Sequence, residues 1–305
     1  MTVEQLINIL VTVTLIEMMM AVGLGVAFAD LVGVAKNVRL LIRAAIANYI
    51  FVPAVTIVLL LLFQSQSMIA AGFLILAVCP GAPFGPPCTT IAKGNVGVSV
   101  GLMVLLAASS ALVAPLLLSG LLPLMSKEEP LTVDTVKLVG TLVVTQLLPL
   151  SLGVAVRHWR PSLAARLQGP ANRVSLVLNL MVVGIILVTR FGLLAAIPPR
   201  AFAGMSLLLL ASFAVGWLFG GRETADRKAM TLTTSLRNVG VGLVIASSSF
   251  PGTSAVTATL AYGLFEIFGS LLLAYWWGRR ATVHDRTTAK SGNLLASAAL
   301  RETLQ

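Results

Sequence analysis

Residues 233–242, Thr-Thr-Ser-Leu-Arg-Asn-Val-Gly-Val-Gly, place an arginine near the middle of an apolar stretch that runs from Ala229 to Phe250. An unpaired Arg at bilayer depth costs at least ~3 kcal/mol, so such a charge persists only where it faces a cavity, a partner or an anion. Gly240 and Gly242 beside it are expected to let the backbone open. The other half of the chain holds a second interrupted stretch, Cys79-Pro-Gly-Ala-Pro-Phe-Gly-Pro-Pro-Cys88. There Pro83, Pro86 and Pro87 rule out a continuous helix. Two broken apolar segments in corresponding positions of two halves point to the binding site of a membrane carrier.

Composition agrees. The chain has 305 residues, of which 57% are hydrophobic and only 10% charged. Its mean hydropathy is +0.97. A soluble domain carries about a quarter charged residues, so the chain reads as an all-α polytopic membrane protein with the lipid bilayer as its outer solvent. Spans of about 20 apolar residues fall near 5–28, 38–63, 69–92, 96–124, 132–156, 172–193, 201–220, 228–249 and 254–278, nine in all. Together they make one transmembrane domain over 1–280, followed by a polar tail over 281–305 with at most a short helix.

The net charge of +10 does not indicate a nucleic-acid partner, because the basic residues lie in short connections between spans. Lys36, Arg39 and Arg43 fall in the first connection and Lys93 in the third. Arg157, Arg160, Arg166 and Arg173 fall in the fifth, and Arg222, Arg227 and Lys228 in the seventh. Lys127, Lys137, Arg190 and Arg200 lie on the opposite side. The positive-inside rule then puts the N-terminus outside and the C-terminus in the cytoplasm of a cell membrane, plasma or inner. No cleaved signal peptide is expected, since no early Lys or Arg precedes the first apolar run. The two cysteines, Cys79 and Cys88, are expected as free thiols, and no metal site is expected.

The chain divides near residue 130. A four-span unit with its third span broken comes first; one span follows, and then another four-span unit with its third span broken. The odd span reverses the second unit, which is the layout of an inverted repeat with two discontinuous helices crossing near the midplane. Broken helices expose backbone N–H and C=O groups, which must line a protein-enclosed, wet cavity. N-terminal half-helix ends attract anions and C-terminal ends attract cations. Gly23, Gly25, Gly97 and Gly101 are expected to allow close helix approach.

Several fragments resemble the bile acid:sodium symporter family. They are Cys79-Pro80-Gly81, Ala92-Lys93-Gly94-Asn95 with Ser99-Val100, Asn238-Val239-Gly240, Gly269-Ser270-Leu271-Leu272, and Asn48 to Pro53. The resemblance covers roughly Met18 to Trp277. It implies a core domain and a panel domain, substrate at the helix crossing, and sodium-coupled uptake of organic anions. It also implies ion ligands at positions occupied here by Gly85, Pro86, Thr233, Arg237 and Asn48. A Ser-Asn pair of the family stands as Gly85-Pro86, a Glu as Thr233, and two Gln as Arg237 and Asn48. Ser99 keeps a hydroxyl, while Met103 replaces another ligand. Sodium, like other hard cations, wants several oxygens with negative charge among them. These departures predict weakened or absent sodium coupling, with the guanidinium of Arg237 in place of a removable ion. No other cofactor is expected.

The expected contacts of a small organic anion are Arg237, Asn238, Thr233, Asn48 and Pro86. The family-implied ion ligands are Ser99, Gly85, Thr233 and Asn48. Arg237 could instead pair with Glu266 or Glu17, and Asn238 could simply cap the freed backbone. Glu266 and Glu17 lie in apolar sequence and are candidate proton carriers, which makes proton coupling an alternative. An uncoupled carrier, an arsenite-type efflux carrier and a channel are further alternatives. An intramembrane enzyme is disfavoured, since no His and no paired Asp lies within a span. Substrate identity, direction of transport and oligomeric state are left open by these residues.

Overall fold

The computed structural model describes residues 3–126, 131–189, 191–192 and 197–302, with side chains over 4–280 of these ranges. Lys127 and Arg190, two of the basic residues on the sparsely charged side, fall outside them. Every regular element among the described residues is a helix. Helix α1 spans Val3–Gly25, α2 Phe28–Lys36 and α3 Val38–Ile46. A π-turn over Ala47–Phe51 leads into α4, Val52–Leu62. Then come α5 Ser67–Ala77, α6 Gly85–Ile91 and α7 Val96–Leu121. Helix α8, Thr135–Leu142, joins α9, Leu148–Trp159, through a second π-turn at Val143–Leu147. The chain continues as α10 Pro161–Thr189, α11 Pro199–Phe219, α12 Thr224–Ser235, α13 Val239–Ser249 and α14 Ser254–Glu302. Because α14 continues past residue 280 without a break, the start of the expected polar tail is helical rather than a separate short element.

Among the described residues seven helical stretches are long and apolar enough to cross a membrane: Glu4–Gly25, Val38–Leu62, Val96–Met125, Thr135–Trp159, Pro161–Thr189, Pro199–Phe219 and Ser254–Arg280. Their outer faces carry exposed apolar residues such as Leu62, Leu116, Val188, Leu218 and Leu272. Water would make that surface costly and lipid makes it ordinary, so the chain is an integral membrane protein. At the basic ends of these helices Trp217 packs on Trp277, with ring centroids 5.6 Å apart, and the Arg280 guanidinium lies 3.9 Å from the Trp276 ring. Aromatic side chains mixed with Arg are typical of the headgroup level.

The other two expected spans, 69–92 and 228–249, are each split into two half-helices, α5 with α6 and α12 with α13. In the first, Pro86 and Pro87 occupy the opening turn of α6, where a missing N–H costs nothing. Gly81 takes φ +90°, with Ala107 N and Met103 O so near that a Cβ would stand 2.5 and 2.7 Å from them. The second break falls at Leu236–Asn238, not at the glycines. Gly240 and Gly242 lie inside α13 and serve close packing, the latter against Leu76 and Thr259. The expectation that they open the backbone is therefore corrected: Asn238 starts a new helix by accepting from Val241 N at 3.2 Å.

Helix α1 packs on α9, α10 and α13. Its crossing with α9 has no room for side chains: a Cβ on Gly23 would come within 2.4 Å of Leu150 O, and one on Gly153 within 2.5 Å of Met20 O. Gly101 is similarly tight against Val34, but Gly97 has only ordinary contacts, so close approach does not explain it. At the basic end of the fold the turn after α6 is tied to the start of α12. Asn95 N donates to Ala225 O at 3.0 Å, Asn95 Nδ2 to Asp226 Oδ1 at 2.8 Å, and Lys228 Nζ to Ala92 O at 2.8 Å. Cys79 and Cys88 are free thiols, both buried.

Candidate functional site: the crossing of two broken helices

The two breaks meet. Pro80 and Arg237 form an isolated antiparallel bridge, and Asn238 N donates to Cys79 O at 2.7 Å. Asn238 Nδ2 adds a bond to Gly81 O at 3.3 Å. The extended residues of each break thus satisfy part of the backbone that the other leaves open.

Arg237 is 1% exposed, yet every one of its guanidinium N–H groups has an oxygen acceptor. Nε donates to Leu76 O at 3.3 Å and Nη2 to Ala77 O, the last carbonyls of α5. Nη1 donates to Thr234 O at 3.3 Å, in the last turn of α12. Nη1 also reaches Asn48 Oδ1 at 2.6 Å, and Nη2 reaches Asn48 O at 3.3 Å. These bonds account for the five donors that a guanidinium carries. The cation therefore sits at the negative ends of two half-helices, where dipole and orphan carbonyls both favour positive charge.

Asn48's carbonyl is available for a local reason. The π-turn sends Val52 N to Ala47 O, one residue further back than an α-helix would. In that register the next N–H would belong to residue 53, which is proline and has none. Asn48 O is left without a helical donor and accepts from Arg237. The Asn48 side chain also donates to Ala44 O at 2.9 Å and to Thr234 Oγ1 at 3.4 Å.

Beside the guanidinium lies a run of hydroxyls. Thr89 Oγ1 donates to Gly85 O at 2.9 Å and lies 3.0 Å from Ser99 Oγ, which is in turn 3.3 Å from Thr233 Oγ1. Gly85 adjoins both: a Cβ there would lie 3.7 Å from Ser99 Oγ and 3.8 Å from Thr233 Oγ1. No carboxylate takes part in these bonds. Pro86 is buried in the same turn, and its carbonyl accepts from Thr90 Oγ1 at 3.1 Å.

Glu266 is fully buried next to the crossing. Its Oε1 accepts from the Arg237 backbone N–H at 2.6 Å, and its Oε2 has no partner among the described residues. Its carboxylate thus meets the arginine main chain, not the guanidinium. Glu17 is elsewhere: it is half-buried on α1 and accepts a bond from Ser175 on α10. The structure therefore gathers Arg237, Asn238, Asn48, Thr233, Ser99, Gly85, Pro86 and Glu266 at one place and leaves Glu17 outside it. Missing from the sequence reading were Thr89, Thr234 and the carbonyls of Leu76 and Ala77. Thr89 and Thr234 are small polar residues within broken spans, which was a usable signal; a carbonyl carries no letter.

Broken helices that pair at their breaks within an apolar bundle, with a buried charge at the junction, define a polytopic membrane protein with a carrier-type centre. A family model described as the sodium bile acid symporter family matches residues 12–216. The chain belongs to that family, which is one of transporters and not of enzymes. It is similar to YocS of Bacillus subtilis (strain 168), an uncharacterized sodium-dependent transporter, with 24% identity over 291 residues, covering 93% of this chain and 87% of YocS. It is also 24% identical over 285 residues to the rice protein BASS2, a probable chloroplastic sodium/metabolite cotransporter, covering 92% of this chain and 67% of that one. Arabidopsis thaliana BASS1, likewise a probable chloroplastic sodium/metabolite cotransporter, is 22% identical over 262 residues, 85% of this chain and 64% of its own length.

Proposed function

We propose that this protein is a secondary carrier that moves a small organic anion by alternating access, with a permanent cation in place of a coupled sodium ion. In this reading nine spans, two of them the broken ones, form an inverted repeat of core and panel parts. The N-terminus is outside and the C-terminus cytoplasmic, as the distribution of basic residues favours. One observation carries the proposal: the Arg237 guanidinium is ringed by neutral oxygens from both half-helix ends and from Asn48. Such a ring would suit a hard cation, and here a side chain that cannot deprotonate fills it.

The same bonds set how Arg237 acts. Its donors are used, so it attracts an anion by its field and not by direct contact. Asn238 and Thr233 sit at the same junction. The hydroxyls of Thr89, Ser99 and Thr233 bond one another and bring no negative charge to a second ion. The named sodium dependence of the relatives would then be lost in this chain.

Uptake of labelled carboxylates and sulfonates into proteoliposomes, with sodium or potassium outside, tests the reading. Equal saturable uptake in both salts is expected, and uptake that requires sodium would refute it. A second reading, proton coupling, rests on the buried Glu266 with its unpartnered Oε2. Under the first reading Glu266→Gln leaves the pH profile of uptake unchanged; a lost profile would favour the second.

A further inference from the structure

A separate cavity of about 460 Å³ opens where α4 ends and α5, α11 and α14 begin. Its size lies within the ~300–1,000 Å³ of small-molecule sites. Leu59, Phe63, Phe73, Met205, Leu208 and Ala261 give it apolar walls. Thr56, Gln64, Ser65, Gln66, Arg200, Ser254 and Thr257 supply its polar residues, and none of the described residues lining it is acidic.

Three features at this place favour a negative headgroup. Arg200 is exposed, in the first turn of α11, with no hydrogen-bond or ion-pair partner among the described residues. Helices α5 and α11 both start here, and their N-cap residues, Gln66 and Pro198, provide no side-chain cap. Both starts present positive dipole ends and that of α5 also free N–H groups; at α11 Pro199 has no N–H and Ala201 N donates to Pro198 O at 2.8 Å, so there the Arg200 side chain is the main donor. Thr257, 5% exposed, also lines the cavity, and its Oγ1 is without a partner among the described residues. The innermost wall belongs to a packed cluster: Met205 and Leu208 join Leu76 and Tyr262 there. Leu76 is the residue whose carbonyl accepts from Arg237.

We propose that this cavity binds a single-chain anionic amphiphile, with its carboxylate or sulfonate at Arg200 and the two helix starts and its apolar body between Phe63, Phe73 and Met205. None of the crossing residues takes part, so this site stands or falls independently of the transport reading.

Calorimetric titration of decanoate into the protein in phosphatidylcholine nanodiscs tests it. Saturable binding of one decanoate per chain is expected, with decanol weaker. Arg200→Gln should weaken decanoate about tenfold, the scale of one charge-assisted contact. Gly204→Leu should abolish binding, because a Cβ at Gly204 meets only the Phe63 ring, at 3.8 Å, and a larger side chain enters the cavity. Ala201→Phe, which fills the same space, replaces it if that variant does not fold. Absent saturation, equal binding of decanol, or full binding in a cavity-filled variant would overturn the proposal. So would phosphatidylglycerol that co-purifies with the wild type, blocks decanoate and is lost on filling the cavity, which would assign the space to a two-chain lipid.

Discussion

Arg237 Nη1 donates to Asn48 Oδ1 at 2.6 Å, joining residues 189 positions apart and holding the second broken helix against the π-turn ahead of α4. A charge-assisted bond of this kind, buried away from water, anchors both the side chain and the register of the helices that carry it.

Removing the guanidinium should therefore unfold the centre, not merely weaken it. Arg237→Ala keeps the main-chain N–H that Glu266 accepts but leaves the buried oxygens of Leu76, Ala77, Thr234 and Asn48 facing a void, a loss of roughly 3–5 kcal/mol by analogy with breaking a buried ionic pair. Arg237→Lys keeps the charge but has three donors for these acceptors, so an intermediate loss is expected. Thermal unfolding in detergent measures both, and a wild-type midpoint for Arg237→Ala would contradict the bonding described.

Replacing the fixed cation by a neutral amide should make room for a mobile one. Arg237→Gln is expected to show a midpoint that rises with sodium chloride and not with choline chloride, while the wild type responds to neither. Mass action sets the scale: a hundredfold excess over the dissociation constant adds about 2.7 kcal/mol. An identical response of variant and wild type would remove the surrogate role.

Asn48→Leu keeps the number and branching of the side-chain heavy atoms and deletes the amide that Arg237, Ala44 and Thr234 share. A hydrogen bond to a charged group contributes about 1.5–3 kcal/mol, and a loss of that order is expected. Chemical denaturation checks it, and a neutral outcome would show that Asn48 O alone suffices.

The glycine crossing makes a paired prediction. Gly153→Leu should prevent α1 and α9 from closing, since even a Cβ would lie 2.5 Å from Met20 O. Gly33→Ala should be tolerated, because nothing stands within 4 Å of its Cβ position. Yield of monodisperse protein in detergent separates the two.

The broken spans were legible because their causes are side chains: prolines that cannot continue a helix, and an arginine that cannot face lipid. The second break was misplaced onto Gly240 and Gly242 because glycine in a membrane helix signals either an opening or a close contact, and the letter is the same for both. Asn238, two residues earlier, was the true start signal, as an N-cap. Arg237's surroundings were legible only in part. Asn48 could be suspected from its spacing to Pro53, whereas Leu76 and Ala77 read as plain apolar residues although their carbonyls do the binding. Glu17 was grouped with Glu266 because both sit in apolar sequence. Only the fold shows that one meets Ser175 on a neighbouring helix and the other the arginine main chain.

The two split rods are fastened at two heights, once at their breaks through Cys79, Pro80, Arg237 and Asn238, and once at the basic end through Ala92, Asn95, Ala225 and Lys228. Two fastenings at different heights remove rotation as well as sliding between a pair of rods. Any rearrangement that keeps these bonds must carry the pair as one rigid piece.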